Sequence, residues 1–420
     1  MLEKISSLVW GPALLFLILG TGIFLTAGSG FFPLRKTGFI LKNTLGNIFK
    51  DKSAFSATAT ALGATVGTGN IVGVSSAIAV GGPGAVLWMW VGAFFGMMLK
   101  FAEAALAVKY KGGATVYIEK AFGWRFPAVL WCVCCVFASF GGGNMIQTNA
   151  AGAVFKSTFG FSPSIIGFLI AVLCGTVLFF GAKTVIKTSS VLVPLMAIFY
   201  IFGCFGILFI FRENLFPALK SIFESAFEPI SIGGGISGLI TSKAVSSGIS
   251  KGTFTHEAGM GSASLAHSES DGKPLTQGCW GIFEVFFDTI FVCSLTALSI
   301  LSAGESFSES SAAEVFRKGF GFSGDVFLCI SMFLFALAAV IGWAFYGEKC
   351  LLYITQNRTV INLYKIVFCA AAVLGSFLEL PVIWNITDIF NGLMIFPNVL
   401  AIIFLSPEVL KITYKKEERR

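Results

Sequence analysis

Apolar runs long enough to cross a membrane follow one another along almost the whole chain. A helix needs about 20 apolar residues to span the hydrocarbon core of a bilayer, and windowed hydropathy predicts about eleven such spans. The predicted spans cover residues 8–27, 54–80, 85–108, 127–153, 165–180, 190–211, 230–266, 278–303, 326–346, 361–377 and 382–405. The pattern therefore predicts an all-α, polytopic membrane protein in which residues 1–420 form a single transmembrane domain.

The second predicted span contains a stretch, residues 63–73, with four glycines and three polar side chains, Thr65, Thr68 and Asn70. Glycine costs a helix interior about 1 kcal/mol relative to alanine, and lipid offers no hydrogen bonds to the backbone that a broken helix releases. We therefore expect protein or a bound polar solute to satisfy this backbone. The candidate solute-binding residues are Gly67, Thr68, Gly69 and Asn70. The alternative is that the glycines only permit close helix packing.

A second glycine-rich segment, residues 258–264, resembles the first one and is also followed by a turn and an apolar span. If residues 8–27 form an extra N-terminal helix, the two segments begin two halves of five helices each, residues 54–211 and 230–405. Five-helix halves of opposite membrane orientation are typical of inverted-repeat secondary transporters, whose central site lies at the paired interrupted helices. The candidates in the second half are Gly259, Met260, Gly261 and Ser262.

Other polar residues in the spans are further candidates for substrate contact. Asn144 and Gln147 are one helical turn apart, so an α-helix would place both on one face. Their alternative role is hydrogen bonding to a neighbouring helix. Trp343 is a candidate for a wall of the pocket, and a place in the core is its alternative.

Charged residues inside membrane spans are functional candidates by default. Helical spacing groups Lys100 with Glu103, and Glu284 with Asp288. A proton relay and structural ion pairing near a helix end are the two interpretations of these groups, and ion pairing is favoured. Glu257, next to the second glycine segment, is the candidate coupling carboxylate.

Composition excludes most other classes of protein. Only 12% of the 420 residues are charged and the mean hydropathy is +0.84, whereas soluble domains are about 25% charged. A net charge of +7 would indicate nucleic acid in a soluble protein. Here most Lys and Arg residues fall in loops on one side, which predicts an outside N-terminus and a cytoplasmic basic tail, residues 406–420. No Ser/His/Asp set or metal-ligand spacing is visible, so neither an enzyme nor a cofactor is expected.

Several motifs together resemble the alanine/glycine:cation symporters, also called the sodium:alanine symporter family. The resemblance is carried by Gly67-Thr-Gly-Asn-Ile-Val-Gly-Val74, Gly81-Gly-Pro-Gly-Ala-Val-Leu-Trp-Met-Trp90, Lys100-Phe-Ala-Glu103, Gly141-Gly-Gly-Asn-Met-Ile-Gln147, Glu257-Ala-Gly-Met-Gly-Ser262, Asp288-Thr-Ile290, Leu295-Thr-Ala297, Gly342-Trp343, Tyr346-Gly-Glu-Lys-Cys350 and Trp384. It implies a LeuT-type five-plus-five inverted repeat with one extra N-terminal helix. It also implies cotransport of small neutral amino acids, alanine and glycine, usually with sodium. The compact chain with minimal loops favours a bacterial cytoplasmic membrane. No obligate protein partner is expected.

The sequence departs from the pattern of this family at positions that bear on the ion. The candidates for ion coupling are Thr65, Glu257 and Asp288. In the family, the span before Gly342 usually carries adjacent hydroxyl residues, but here those positions are Ala338 and Ala339. Sodium prefers oxygen ligands, so this part of an ion site would be weakened. Proton-coupled transport, exchange, a passive channel and a non-transporting amino-acid sensor therefore stay open as alternatives.

Overall fold

The computed structural model describes residues 2–227, 243–304, 311–378 and 381–414, and within these ranges all regular structure is helical. We number the long helices and the halves of broken ones in chain order. They are α1 (Pro12–Gly28), α2 (Lys52–Thr65), α3 (Gly69–Gly81), α4 (Ala85–Tyr110), α5 (Phe126–Phe159), α6 (Pro163–Phe179), α7 (Ala182–Ile210), α8 (Lys243–His256), α9 (Pro274–Ala303), α10 (Phe322–Ile354), α11 (Arg358–Gly375) and α12 (Pro381–Phe404). The prediction of an all-α polytopic protein is confirmed.

Short helices connect these elements. They are Leu2–Val9, Phe32–Arg35, Thr37–Asn43, Leu45–Asn47, Gly113–Phe122, Arg212–Asn214, Leu215–Ser225, Ser264–His267, Ser311–Phe320 and Ser406–Tyr414. The described residues contain eight helices long and apolar enough to cross a membrane, or nine if α2 and α3 form one broken span. Helices α6 and α8 occupy the remaining two predicted spans but are shorter. The count of eleven and the division into two repeats therefore stay predictions, and residues 228–242 and 415–420 lie outside the described residues.

Four interruptions of regular helix lie at the motifs that the sequence singles out. Helices α2 and α3 meet at an angle of 55°. Helix α5 contains a π-helical turn at Gly141–Met145, and α9 contains a π-helical segment at Phe286–Cys293. Helix α8 ends at His256. π-helical turns inside α-helices are frequent at functional sites.

The segment after α8 needs unusual backbone conformations. Glu257, Gly259 and Gly261 all have positive φ angles, of 54°, 94° and 80°. Glycine adopts this region without steric cost, whereas a residue with a side chain does so at some cost. The two glycines thus allow the chain to leave the helical conformation between α8 and the short helix Ser264–His267.

Polar groups concentrate inside the helix bundle, and large apolar side chains cover much of its outside. Lys100, Glu103, Glu284 and Asp288 have no accessible surface, whereas Phe202 on α7 is 73% exposed. An apolar exterior is the arrangement that a lipid environment favours. The polar interior therefore needs its own hydrogen-bond partners, and these define the site below.

Candidate functional site

A small cavity lies where the interrupted helices meet. Its volume is about 20 Å³, which is enough for about one water molecule. Six of the predicted site residues line it: Thr65, Gly69, Gln147, Glu257, Met260 and Trp343. The other lining residues are Ala64, Gly142, Phe254, Thr255 and Asn391. The sequence candidates from both halves of the chain are thus brought to one place.

Gln147 connects the break between α2 and α3 to the π-helical turn of α5. The backbone N–H and the hydroxyl of Thr68 both donate to Gln147 Oε1, at 2.9 and 2.8 Å. Gln147 Nε2 in turn donates to the carbonyl of Gly142 at 3.0 Å. All of these groups are buried. Backbone released by one helix break is therefore satisfied by the amide of another interrupted helix, as a bilayer interior requires.

Asn70 and Asp288 form the second buried connection at the site. Asn70 Oδ1 accepts a hydrogen bond from the N–H of Gly67 at 3.0 Å, and Nδ2 donates to Asp288 Oδ1 at 2.6 Å. The hydroxyl of Thr289 donates to Asp288 Oδ2 at 2.7 Å and lies 3.3 Å from the hydroxyl of Thr255. Since Thr255 lines the cavity, this oxygen-rich group is continuous with it.

Asp288 forms no ion pair within 4 Å in the described part of the chain. The described ion pairs involve other carboxylates, while Asp288 itself has no accessible surface. Burying an isolated carboxylate is costly unless a proton or a cation neutralises it. The hydroxyls of Thr289 and Thr255 add neutral oxygen ligands beside it. The group can therefore hold a small cation.

The ends of two helices of opposite polarity face the cavity. Helix α3 begins at Gly69, and α8 ends at His256, directly after Thr255. A helix N-terminus favours negative charge and a C-terminus favours positive charge. Asn391 adds an acceptor, because its Oδ1 receives no hydrogen bond from any described residue. This arrangement suits a ligand that carries one charge of each sign.

Lys100 forms an ion pair between helices, with a carboxylate other than the Glu103 with which helical spacing groups it. Its Nζ lies 3.4 Å from Glu284 Oε1 and donates to the carbonyl of His256 at 2.9 Å. His267 Nε2 lies 2.9 Å from Glu284 Oε2. Lys100 is in the middle of α4, not near a helix end. Structural ion pairing is present, but it joins α4 to α9 and to the last turn of α8.

Glu103 holds the segment that follows α8. Its Oε1 accepts hydrogen bonds from the N–H groups of Gly259 and Gly261, at 2.8 and 3.0 Å, and from Asn398 Nδ2 at 2.8 Å. These N–H groups are therefore already hydrogen-bonded to a side chain of the protein, and neither glycine lines the cavity. Ser262 also lies away from it and donates to Glu257 Oε2 at 2.5 Å.

The side chains of Asn144 and Gln147 point to different parts of the helix bundle. Asn144 Nδ2 donates to the carbonyl of Phe368 on α11 at 2.7 Å, and Asn144 does not line the cavity. The structure thus gives Asn144 the alternative role, hydrogen bonding to a neighbouring helix. The hydroxyl of Thr65 is close to the cavity but donates within its own helix, to the carbonyl of Ala61 at 3.2 Å.

Sequence reasoning missed four residues at the site, namely Phe254, Thr255, Thr289 and Asn391. Phe254 and Thr255 directly precede His256, and Thr289 follows Asp288, so proximity to named motifs is the signal that could have found three of them. Asn391 is a polar residue in the last predicted span. Intramembrane polarity alone could have identified it.

A second, larger cavity of about 600 Å³ adjoins the first. Gly69 and Phe254 line both cavities, so the side chain of Phe254 lies between them. Trp384 packs against Phe254 with ring centroids 5.6 Å apart, and Lys251 Nζ lies 5.1 Å from the centre of the Trp384 ring. We refer to this larger cavity as the vestibule.

The fold is that of a LeuT-type transporter. A crystal structure of MhsT in complex with L-phenylalanine matches 86% of this chain and 97% of its own, with a TM-score of 0.61 at 16% identity. A sodium-coupled sialic acid symporter in a substrate-bound, outward-open state matches 87% and 82%, with a TM-score of 0.57 at 13% identity. At these identities the likeness concerns the fold alone. It confirms the LeuT-type architecture expected from the sequence.

The sequence comparison is more specific. The profile of the sodium:alanine symporter family matches residues 1–420, and the chain belongs to this family. It is 37% identical to the sodium/alanine symporter AgcS of Methanococcus maripaludis, over 100% of this chain and 97% of that protein. It is 38% identical to an uncharacterized transporter of Haemophilus influenzae, over 98% and 94%. The protein is thus a multi-pass membrane transporter of the cation-coupled amino-acid type and not an enzyme.

Proposed function

We propose that this protein is a symporter that moves a small neutral amino acid, alanine or glycine, together with sodium by alternating access. The observation that carries the proposal is the buried Asp288 carboxylate, which forms no direct ion pair in the described chain and accepts a hydrogen bond from Asn70. A cation that neutralises Asp288 stabilises the contact between α9 and the broken α2–α3 pair. Cation binding would thereby favour the arrangement that receives the amino acid.

The cavity chemistry supports a zwitterionic substrate. The N-terminal end of α3 at Gly69 is suited to the carboxylate, and Asn391 Oδ1 is suited to the ammonium, beside the C-terminal end of α8, whose last carbonyl already accepts a hydrogen bond from Lys100. The side chains of Phe254 and Trp343 enclose the cavity, which in this arrangement holds only about one water molecule. It must widen to admit an amino acid, and glycine and alanine, the smallest ones, require the least widening. The Methanococcus maripaludis relative is named a sodium/alanine symporter, which agrees with this assignment.

Sodium is assigned to the Asp288 group and not to the positions where hydroxyls are missing. Ala338 and Ala339 face the Gly63–Gly67 stretch: a Cβ built on Gly67 would lie 3.3 Å from Ala339 Cβ. No side-chain oxygen is supplied by α10 there. Asp288, Thr289 and Thr255 instead offer a carboxylate and two hydroxyls, the hard oxygen ligands that a small alkali cation prefers.

A location in the cell membrane, with the N-terminus outside and the C-terminus in the cytoplasm, completes the proposal. It rests on the concentration of Lys and Arg in alternate loops. In this orientation α3 is the half of the broken span that lies nearer the external side of the membrane. The vestibule, which α3 lines, is therefore on the external side of the cavity. The five-plus-five inverted repeat, with halves at residues 54–211 and 230–405, is part of the same proposal.

Proton coupling is the second candidate, because three buried ionisable groups lie in one chain of contacts. Lys100, Glu284 and His267 connect α4, α9 and the short helix after α8. Such chains are typical of intramembrane proton pathways. A proton gradient must drive uptake in the absence of sodium if this candidate is correct.

Uptake of labelled alanine and glycine into proteoliposomes tests the proposal. An inward sodium gradient is expected to drive accumulation above equilibrium, whereas a proton gradient without sodium is not. Flux that no gradient can concentrate would indicate a channel, and binding without counterflow would indicate a sensor. Absence of uptake under any ion gradient would contradict the proposed function.

Asn70→Ala is expected to reduce sodium-driven uptake about 10- to 100-fold, since it removes a donor to a buried carboxylate and an acceptor for the N–H of Gly67. The measurement is initial uptake normalised to reconstituted protein, with folding checked by monodisperse elution. Asn43→Ala, a partly exposed position that bonds only within its short helix, is the control. Uptake equal to that of the parent would remove Asn70 from the site.

A further inference from the structure

The π-helical turn of α5 has no space for side chains at its glycines. A Cβ built on Gly143 would lie 2.2 Å from Trp343 Cγ and 2.3 Å from Trp343 Cβ. Real Cβ atoms essentially never approach other heavy atoms this closely, so a methyl group at position 143 must displace its neighbour. That neighbour is an indole at its point of attachment to the backbone, not the end of a flexible chain.

Trp343 has limited freedom to move. It is 4% exposed, lines the central cavity, and packs edge-to-face against Tyr346 with ring centroids 5.6 Å apart. Protein interiors are close-packed and transmit displacements to their neighbours. With Gly143 on one side and Tyr346 on another, the cavity is the adjoining free space into which the indole can shift.

We propose that Gly143 is a positioning residue that sets the upper size of the substrate side chain by fixing Trp343 at the cavity wall. This inference rests on the proposed function, because it specifies how the same cavity discriminates between amino acids. Gly143 itself does not line the cavity. It acts through Trp343, so its effect should appear as a change in substrate preference.

Gly143→Ala is expected to lower the ratio of alanine uptake to glycine uptake at least about tenfold. An apolar pocket discriminates to this extent between substrates that differ by one methyl group. Glycine, which has no side chain to meet the displaced indole, should retain transport. The measurement is the KM and maximal rate for each amino acid in proteoliposomes under one sodium gradient. The control is Gly92→Ala, a buried position on α4 where a Cβ would meet its nearest neighbour at 3.8 Å. Equal loss for both amino acids would overturn the proposal.

Trp343→Phe provides an independent test, because the smaller ring enlarges the cavity at the wall that Gly143 supports. It is expected to admit larger neutral amino acids such as serine or valine. Adding Gly143→Ala to Trp343→Phe should refill that space and restore a preference close to that of the parent, as residues in contact show non-additive effects. If the Gly143→Ala variant does not fold, Trp343→Phe alone still decides, because an unchanged exclusion of serine and valine would show that the wall held by Gly143 does not set the substrate size. A preference identical to that of Trp343→Phe alone would show that position 143 does not act through the wall.

Failure of this inference is distinguishable from failure of the proposed function. The parent protein and the Gly92→Ala variant report whether sodium drives uptake at all. If they accumulate alanine while all Gly143 and Trp343 variants keep the parental alanine-to-glycine ratio, the positioning role is wrong and the symport function stands. If the parent does not transport, the same variants are compared by competition of amino acids for binding.

Discussion

Asp288→Asn is expected to reduce the response of alanine uptake to sodium at least about 30-fold, the effect of losing one partner of a buried charge interaction. The amide retains the size of the carboxylate and an acceptor for Asn70. It lacks the negative charge that makes the buried group require a cation. The measurement is initial uptake of labelled alanine as a function of the sodium gradient.

The same substitution at Asp271 is the control, because this exposed residue lies in a loop outside the bundle. Asp271→Asn should leave the sodium dependence unchanged. If transport is coupled to protons instead, neither the parent nor Asp288→Asn would respond to sodium. Asp288→Asn would then alter the response to a proton gradient. A sodium dependence equal to that of the parent in Asp288→Asn would mean that the ion binds elsewhere.

Lys100→Met is expected to destabilise the protein by about 3–5 kcal/mol, since removing one partner leaves a buried charge uncompensated. The charge is that of Glu284, whose side chain, like that of Lys100, has no accessible surface. The variant also loses the donor to the carbonyl of His256, at the end of α8. The measurement is thermal unfolding of the purified protein in detergent, together with the yield of monodisperse protein.

A second substitution tests the physical reason for that loss. Lys100→Met combined with Glu284→Gln removes both charges, and breaking a pair is more costly than replacing it. We therefore expect the double variant to be more stable than Lys100→Met alone. Lys109→Met on the same helix is the control, because its ion pair with Glu408 is partly exposed and such pairs contribute about 0–1 kcal/mol. A double variant no more stable than the single one would contradict an ion-pair origin.

The helix breaks are the part of the site that the sequence predicted best. Glycine and polar residues at membrane depth are so unfavourable in a regular helix that they identify Thr68 and Gln147 as candidates without knowledge of the fold. Asn144 shows where this reasoning stops. Its spacing from Gln147 holds only for a regular α-helix, and the π-helical turn at Gly141–Met145 rotates the two side chains apart.

Contacts between distant helices could not be predicted from spacing. Lys100 and Glu284 are far apart in the chain and meet only because α4 and α9 pack closely: a Cβ built on Gly281 would lie 2.6 Å from the carbonyl of Lys100. Asn391 illustrates the same limit. Its intramembrane polarity makes it a candidate, but its position in the last long helix does not indicate that it reaches this cavity.

The affinity of the wild-type protein for alanine, measured by calorimetry with and without sodium, tests the central claim most directly. The claim is that one cation at Asp288 and one amino acid in the adjoining cavity stabilise the same arrangement of α3, α8 and α9. Coupling of this kind is reciprocal, so sodium should tighten alanine binding, and alanine should tighten sodium binding by the same factor, about 10-fold or more. Alanine binding that is unaffected by sodium would contradict the account.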